Sequence, residues 1–283
     1  MFRVLLIAGL LTTLFSGCKT ENTPKVSLCK VISLTDQLDV GGRLTDQMQR
    51  TFTYTGNQLT QLRERNTDRQ ATLTIEYNTA GTATKASDGA FMITFGSAGS
   101  TTQPLNATAT RSGVIHAIYE MTYNPANKLT RVLETRQVVP TNSFVRSRNY
   151  SFVYDSDGIL KTEKLTSTLT DRTTVEQETD FTYGTLINPM TNFPQPCLLT
   201  IIALNQLVET MPGRFWQQRV VQDYKTYNAK NDVRSPLRES ATFTTKMDEN
   251  RRVTGQEQNT VSTSGSGQTT QRKNQHTVLY ECK

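Results

Sequence analysis

The sequence predicts an all-β protein. It reads as one large antiparallel sheet of consecutive hairpins, curled strongly into a barrel or an open half-pipe. Three observations carry this. Apolar and polar residues alternate in run after run, as in Ala71, Leu73, Ile75 and Tyr77 against Thr72, Thr74 and Glu76, which is the period of a strand with one dry face. Short turn sequences punctuate these runs. Apolar content is 35%, low for a sheet covered on both faces but enough for one wetted on one side. Counting the runs gives roughly fourteen to sixteen strands, and twist accumulated over so many strands forces the sheet to curl. The alternative arrangement is a two-sheet β-sandwich.

At the N-terminus, Arg3 precedes an apolar run from Val4 to Phe15, followed by Ser16, Gly17 and Cys18. The run is a signal-peptide core and is too short for a bilayer span, which needs about 20 residues. Small residues just before a cysteine resemble the lipobox of bacterial lipoproteins, with Phe15 standing where leucine is usual. That resemblance implies cleavage after residue 17, acylation of Cys18, and a polar tether over 18–25 that contains Pro24. Residues 26–283 then form the hairpin domain, with a candidate half boundary near 188–196. Net charge is +6, or +5 once Arg3 leaves with the signal. So mild an excess does not point to a nucleic-acid partner.

The first strand begins at Cys29. Hairpins follow at Tyr54, Tyr77, Tyr123, Tyr154, Tyr227 and Met247. The clearest is Tyr154-Asp155-Ser156-Asp157-Gly158-Ile159-Leu160. A three-residue loop of this kind is a type I turn closed by one residue in the left-handed region, which suits Gly158 because it lacks a Cβ. Asp155 caps the turn, and Tyr154 lies opposite Leu160. The same spacing sets Tyr123 opposite Leu129 with Asn127 left-handed, Tyr77 opposite Ala83 with Gly81, and Tyr227 opposite Val233 with Asn231. In the poorest copy Met247 faces Val253, and Arg251 falls where glycine or asparagine is wanted. A two-residue turn at Gly56-Asn57 sets Tyr54 opposite Leu59. Each aromatic–aliphatic pair contributes roughly 0.2–1 kcal/mol over Ala–Ala and holds its own register.

These turns resemble the tyrosine–aspartate repeats of RHS-type shell proteins, and more closely the uncharacterised Gram-negative envelope lipoproteins that carry degenerate hairpins of this sort. The resemblance implies a long antiparallel strip that curls, and supplies no activity.

The remaining elements fall in between. Phe91, Ile93 and Phe95 form a strand, as do Ile115 to Tyr123, Phe181 with Tyr183, and Val278 with Tyr280. The stretches 96–113 and 262–271 lack hydrophobic periodicity and read as long exposed loops. Pro189, Pro194 and Pro196 bar 187–197 from a central strand. From Cys197 the chain reads as a strand followed by a turn. Helical spacing at Leu204, Leu207 and Val208, stopped by Pro212-Gly213, is the competing reading. Cys29 and Cys197 would then open two halves of a duplication.

No stretch carries a catalytic or cofactor signature. There is no Gly-x-Ser-x-Gly and no phosphate loop before a helix. Asp155 with Asp157, and Asp248 with Glu249, are read as turn residues rather than calcium ligands or a glycosidase acid pair. His116, with Ile118 and Glu120, is placed on the more polar face of its strand; His276 shares the face of Val278 and Tyr280. Arg63, Arg65 and Arg69, then Arg146 and Arg148, are read as solvated protection of sheet edges. With Cys18 acylated, Cys29, Cys197 and Cys282 allow one disulfide, and the sequence does not choose among the three pairings. Phe215 and Trp216 are the candidate ligand contacts, against a plain reading as core aromatics. The expectation is a non-catalytic, cofactor-free protein of the cell envelope, held by lipid to a bacterial, outer, membrane. Its role is binding or structural, with a glycan or an envelope protein as partner. The alternatives are a periplasmic carrier of acyl cargo and a hydrolase acting on polysaccharide.

Overall fold

A computed structural model of the chain describes residues 29–96, 103–138, 143–169, 172–206, 211–230 and 233–282. The signal segment, Cys18 and the tether lie outside the described residues. Sixteen strands are formed: β1 (Cys29–Val40), β2 (Arg43–Thr55), β3 (Gln58–Arg65), β4 (Gln70–Tyr77), β5 (Ala83–Asp88), β6 (Phe91–Gly96), β7 (Asn106–Arg111), β8 (Val114–Tyr123), β9 (Leu129–Val138), β10 (Ser143–Tyr154), β11 (Leu160–Thr168), β12 (Thr174–Ile187), β13 (Arg219–Lys230), β14 (Val233–Met247), β15 (Val253–Thr263) and β16 (Thr269–Cys282). Each pairs antiparallel with the next, and β16 returns to β1, so the sheet is a closed barrel. Closure removes every edge. It excludes the sandwich and the half-pipe, and it takes away the edges that the arginine runs were read as protecting.

Register follows the turn chemistry. Tyr54 faces Leu59, Tyr77 faces Ala83, Tyr123 faces Leu129, Tyr154 faces Leu160 and Met247 faces Val253. Gly81, Asn127, Gly158 and Arg251 all have positive φ. Asp155 Oδ1 accepts from the backbone N–H groups of Asp157 and Ile159, and Asp248 Oδ1 from those of Asn250 and Arg252. Strand order puts all five of these turns at the end of the barrel where β1 starts and β16 finishes, here called the terminal end.

Tyr227 is the exception. It faces Leu237, while Val233 pairs with Lys230. The β13–β14 turn lies at the opposite, distal end, where the strands run on past Tyr227. Two further expectations also fail. The stretch 96–113 contains β7, whose inward Ala107 and Ala109 are too small to register as an apolar face. The stretch 262–271 is mostly the ends of β15 and β16 around a tight turn, with Ser264 N–H donating to the Gln268 carbonyl. The fourth correction is α1 (Pro196–Gln206), an α-helix where a strand was favoured. Cys197 therefore opens a helix, not the strand that was expected to begin there.

The two faces of the wall differ sharply. Row by row, Leu62–Leu73, Ile75–Ala86–Ile93–Ala109–Ala117 and Met121–Val132–Tyr150 point inward and are buried. The outward rows are Thr51–Arg63–Thr72, Glu76–Lys85–Thr94–Thr108 and Lys164–Glu178–Tyr227. These inward rows are apolar and these outward rows polar, though charged pairs such as Arg50–Glu64 lie inside and single apolar residues such as Val153 and Leu279 lie outside.

Candidate functional site

A barrel of about eight strands is filled by its own side chains, whereas one of about sixteen leaves a lumen. This chain fills its lumen with the long β12–β13 connection. Pro196 sits at the first position of α1, where its missing N–H costs nothing. Cys197 through Asn205 are all buried. A helix apolar on every side belongs inside a core. A short 3-10 helix, Pro212–Trp216, packs against it, and Trp216 Nε1 donates to Thr200 Oγ1 at 2.9 Å.

The C-terminal end of α1 is held by charge. Arg148 Nη2 and Arg136 Nη2 donate to the Leu204 carbonyl at 2.8 and 3.0 Å, the favourable place for cations on a helix. Glu134, fully buried, accepts from both guanidiniums and from Ser147 Oγ. Burial alone would raise the Glu134 carboxyl, but the hydrogen bonds and charge of Arg148 and Arg136 outweigh it and hold it below the ordinary range. Asn205 Oδ1 meets His116 Nε2 at 2.9 Å. His116 therefore points inward: the irregularity between Ala109 and Thr110 opposite it turns the ring off the outer face where alternation placed it. At the other end of α1, the Tyr123 hydroxyl donates to the Cys197 thiol.

These contacts lean α1 toward β8, β9 and β10. A cavity of about 130 Å³ remains on the far side, walled by β12–β16, β1 and the 3-10 helix. Leu34, Phe181, Val221, Phe243 and Val278 give it an apolar surface, with Met190 and Met211 from the connection. One end is polar. His276 Nδ1 lies 2.7 Å from Asp36 Oδ1, and its Nε2 lies 2.8 Å from Gln258 Oε1. Arg214 Nη1 donates to Asp36 Oδ2 at 3.2 Å. Behind them Arg50 Nε donates to Glu64 at 2.8 Å, both side chains buried. Burial would raise the Asp36 carboxyl; Arg214, His276 and Arg50 outweigh it and hold it well below the usual carboxylate range.

The sequence-predicted residues scatter with respect to this cavity. Phe215 is buried, its ring centroid 5.5 and 5.8 Å from the guanidiniums of Arg50 and Arg214. With Trp216 half-buried against α1, neither is an exposed stacking platform. Arg148 points inward to Glu134, not to an edge, while Arg63 and Arg65 are exposed. The side chain of Arg146 lies outside the described residues. Cys29 and Cys282 form a disulfide across the closing β1–β16 pair, and Cys197 is free and buried. Asp155 and Asp248 are spent on their turns. Among the described residues no group of three or more His, Cys, Asp or Glu is placed to hold a metal ion. Asp36, Arg214 and Gln258, which shape the polar end, carry no signal in the sequence beyond strand alternation. Arg214 lies just beyond Pro212-Gly213, beside Phe215 and Trp216.

No family model matches the chain, and no curated protein matches it. Solved structures do share the fold. A porin-like protein from Bacteroides uniformis superposes with a TM-score of 0.56 at 14% identity, covering 88% of this chain and 96% of that one. A porin-like protein from Bacteroides vulgatus gives 0.51 at 11% identity, covering 89% and 98%. Likeness at such identity concerns the barrel alone. The resemblance to tyrosine–aspartate repeats rests on the turn residues only.

Proposed function

We propose that this is a lipid-anchored, non-catalytic protein of the cell envelope whose barrel stands in water and serves a binding or structural role. The observation that carries this reading is the polarity of the wall. A membrane-spanning barrel turns an apolar band about 25 Å tall toward lipid, edged with aromatic girdles, and keeps its lumen polar. Here the outward rows are mostly threonine, glutamine and charged residues, with apolar residues such as Val153, Leu237 and Leu279 scattered among them, and the lumen is plugged by α1, apolar over much of its wall and otherwise lined by paired charges such as Arg50–Glu64 and Arg148–Glu134. Burying such an outer face in hydrocarbon would strand charges such as Arg63, Lys85 and Glu76. With the two proteins described as porin-like this chain shares the fold; its plugged lumen argues against conduction. Membrane attachment then falls to Cys18. The cavity is too small for a long acyl chain, which weighs against the acyl-carrier reading. The Asp155 and Asp248 carboxylates, engaged in turns at the surface, offer a hydrolase no paired acids in a groove.

The test is fractionation of the expressed chain. Wild type should incorporate labelled palmitate and pellet with membranes. Cys18→Ser should lose the label and appear folded in the soluble fraction. A Cys18→Ser chain that stays in carbonate-washed membranes would mean that the strands themselves are embedded, and the reading would fail.

A further inference from the structure

We propose that the Cys29–Cys282 disulfide is a site of thiol–disulfide exchange, opened in the folded protein by a dithiol and assisted by Arg252. The inference goes beyond the binding role and does not depend on the fate of Cys18.

A repeated position builds the site. Lys30 precedes Val31, Lys128 precedes Leu129 and Arg252 precedes Val253. The carbonyls of Val31, Leu129 and Val253 accept from the hydroxyls of Tyr54, Tyr154 and Tyr280. Each cation lies over the ring of that tyrosine, 5.3, 5.5 and 5.7 Å from its centroid. Lys30 and Lys128 then donate to a carbonyl of the turn that follows the tyrosine, that of Gly56 or Gly158. After Tyr280, β16 instead ends at Cys282, which is bonded to Cys29. Arg252 Nη1 accordingly donates to Cys282 Sγ and Cys29 Sγ. The rest of the guanidinium is occupied: Asp248 Oδ2 accepts from Nε at 2.7 Å and from Nη2 at 2.6 Å, which aims Nη1 at the sulfurs.

Access and charge set the chemistry. Cys282 is exposed and Cys29 half-buried, so a nucleophile reaches Cys282 Sγ from solvent. The β1–β16 ladder continues beyond the bond, from Lys30 opposite Glu281 to Asp39 opposite Lys273, so exchange needs no unfolding. Of the other charged groups beside the pair, Lys30 is turned to Gly56, Asp248 is engaged by Arg252, and Glu281 is exposed. In the exchange a thiolate of the dithiol attacks Cys282 Sγ, the Sγ–Sγ bond breaks, and Cys29 leaves as a thiolate accepting from Arg252 Nη1. The second thiol of the reductant then attacks the mixed disulfide, closes its own disulfide and releases Cys282. Two electrons pass to the protein's sulfurs, and the dithiol's two protons pass to solvent or to the released thiolates. A neighbouring guanidinium favours the thiolate, and a thiol that ionises readily leaves faster. The strands so released carry Leu34 opposite Val278 and Asp36 opposite His276, all four in the wall of the cavity.

The probe is dithiothreitol. Purified full chain and its Arg252→Met variant are equilibrated in buffers of reduced and oxidised dithiothreitol, and the fraction of Cys29–Cys282 reduced is read by peptide mass. Loss of one charge-assisted donor should make the native disulfide about tenfold harder to reduce, while in urea the two chains should reduce alike. Reduced wild type should keep its near-ultraviolet circular dichroism. Equal reduction of the two native chains, a difference that persists in urea, or loss of that spectrum on reduction would overturn the proposal. If Arg252→Met fails to fold, wild type alone decides. After reduction, the more reactive of Cys29 and Cys282 should be alkylated by iodoacetamide with a midpoint at least about one pH unit below the ordinary thiol value of about 8.5. Midpoints closer to that value, or above it, for both thiols would overturn the site. A negative result here leaves the fractionation of Cys18→Ser unaffected, so the two readings fail separately.

Discussion

The Tyr154 hydroxyl donates to the Leu129 carbonyl at 2.8 Å, and Leu129 is the residue that faces Tyr123 in the preceding terminal-end hairpin. Tyr77 does the same to Leu59, which faces Tyr54, and Tyr280 to Val253, which faces Met247. Tyr77 and Tyr154 thus each pack on their own turn and reach back to the previous one by a hydrogen bond, while Tyr280, on the last strand, makes the backward bond alone. The signature residue that makes a hairpin also stitches hairpins into a barrel.

Tyr154→Phe removes the stitch and keeps the ring. A net loss of about 1 kcal/mol is expected, or about 2–4 °C in melting temperature for a chain of this size. Tyr227→Phe is the internal control, because Tyr227 sits on the outer wall opposite Glu178. Equal effects of the two substitutions, read in urea or thermal melts, would show that the hydroxyl bonds do not matter.

The clamp on α1 makes stability depend on acid. Glu134 and Asp36 have folded-state pKa values below their ordinary ones of 4.5 and 3.8. Their contribution is therefore complete above those ordinary values and is lost as pH falls through the depressed ones. Chemical-denaturation midpoints should hold between pH 7 and about 5 and decline below. Glu134→Gln should cost about 3–5 kcal/mol at pH 7, since it leaves Arg136 and Arg148 buried without their partner, and should flatten the acid decline. An unchanged decline in Glu134→Gln would move the acid sensitivity elsewhere.

What the sequence reveals and what it hides follow from the same physics. Hairpins at the terminal end were legible because turn chemistry is local: Asp155, Gly158 and Leu160 speak for one another within six residues. Tyr227 misled because a tyrosine before a turn means this only at one end of the barrel, and strand order is not local. The plug was misread because its helix is apolar all round. Ile201, Ile202 and Leu204 have no wet face to give a 3.6-residue period, and a short apolar run is ambiguous between a buried strand and a buried helix. The polar half of the lumen was hidden by a sound rule misapplied. Arg148 was read as solvated edge protection, and the Leu204 carbonyl at the end of the plug explains why it turns in.

The disulfide and the free cysteine should behave as opposites. Cys29–Cys282 joins the first and last described strands across 253 residues, so reducing it should destabilise by about 2–4 kcal/mol and loosen the β1–β16 seam, whose strands are remote in sequence. Cys197 is enclosed in the core, and burial pushes its thiol up to about 12. Iodoacetamide at pH 8 should therefore leave it unmodified in the native protein and label it on addition of urea. Rapid native labelling would mean that the plug leaves the lumen readily.

The last prediction concerns the turn that breaks its own rule. In three of the hairpins the left-handed position holds Gly81, Asn127 or Gly158, with φ of 80°, 57° and 73°; in the fourth it holds Arg251 at φ 61°. An ordinary L-residue there costs about 1–2 kcal/mol, partly offset in glycine by the chain entropy that glycine loses on folding, about 0.5–1 kcal/mol. Arg251→Gly should therefore stabilise the protein by about 0.5–1 kcal/mol, and Arg251→Asn should act in the same direction. The turn is otherwise complete: Asp248 caps it through two backbone N–H groups and also pairs with Arg252 at 2.6 Å. The Arg251 backbone N–H donates to the Asp248 carbonyl at 3.0 Å, as the left-handed residue of the other turns does, and among the described residues its side chain adds no hydrogen bond or ion pair to offset the strain. If melts show both substitutions to be neutral or destabilising, the Asp248 cap alone sets this turn, and the left-handed residue is not what chooses its geometry.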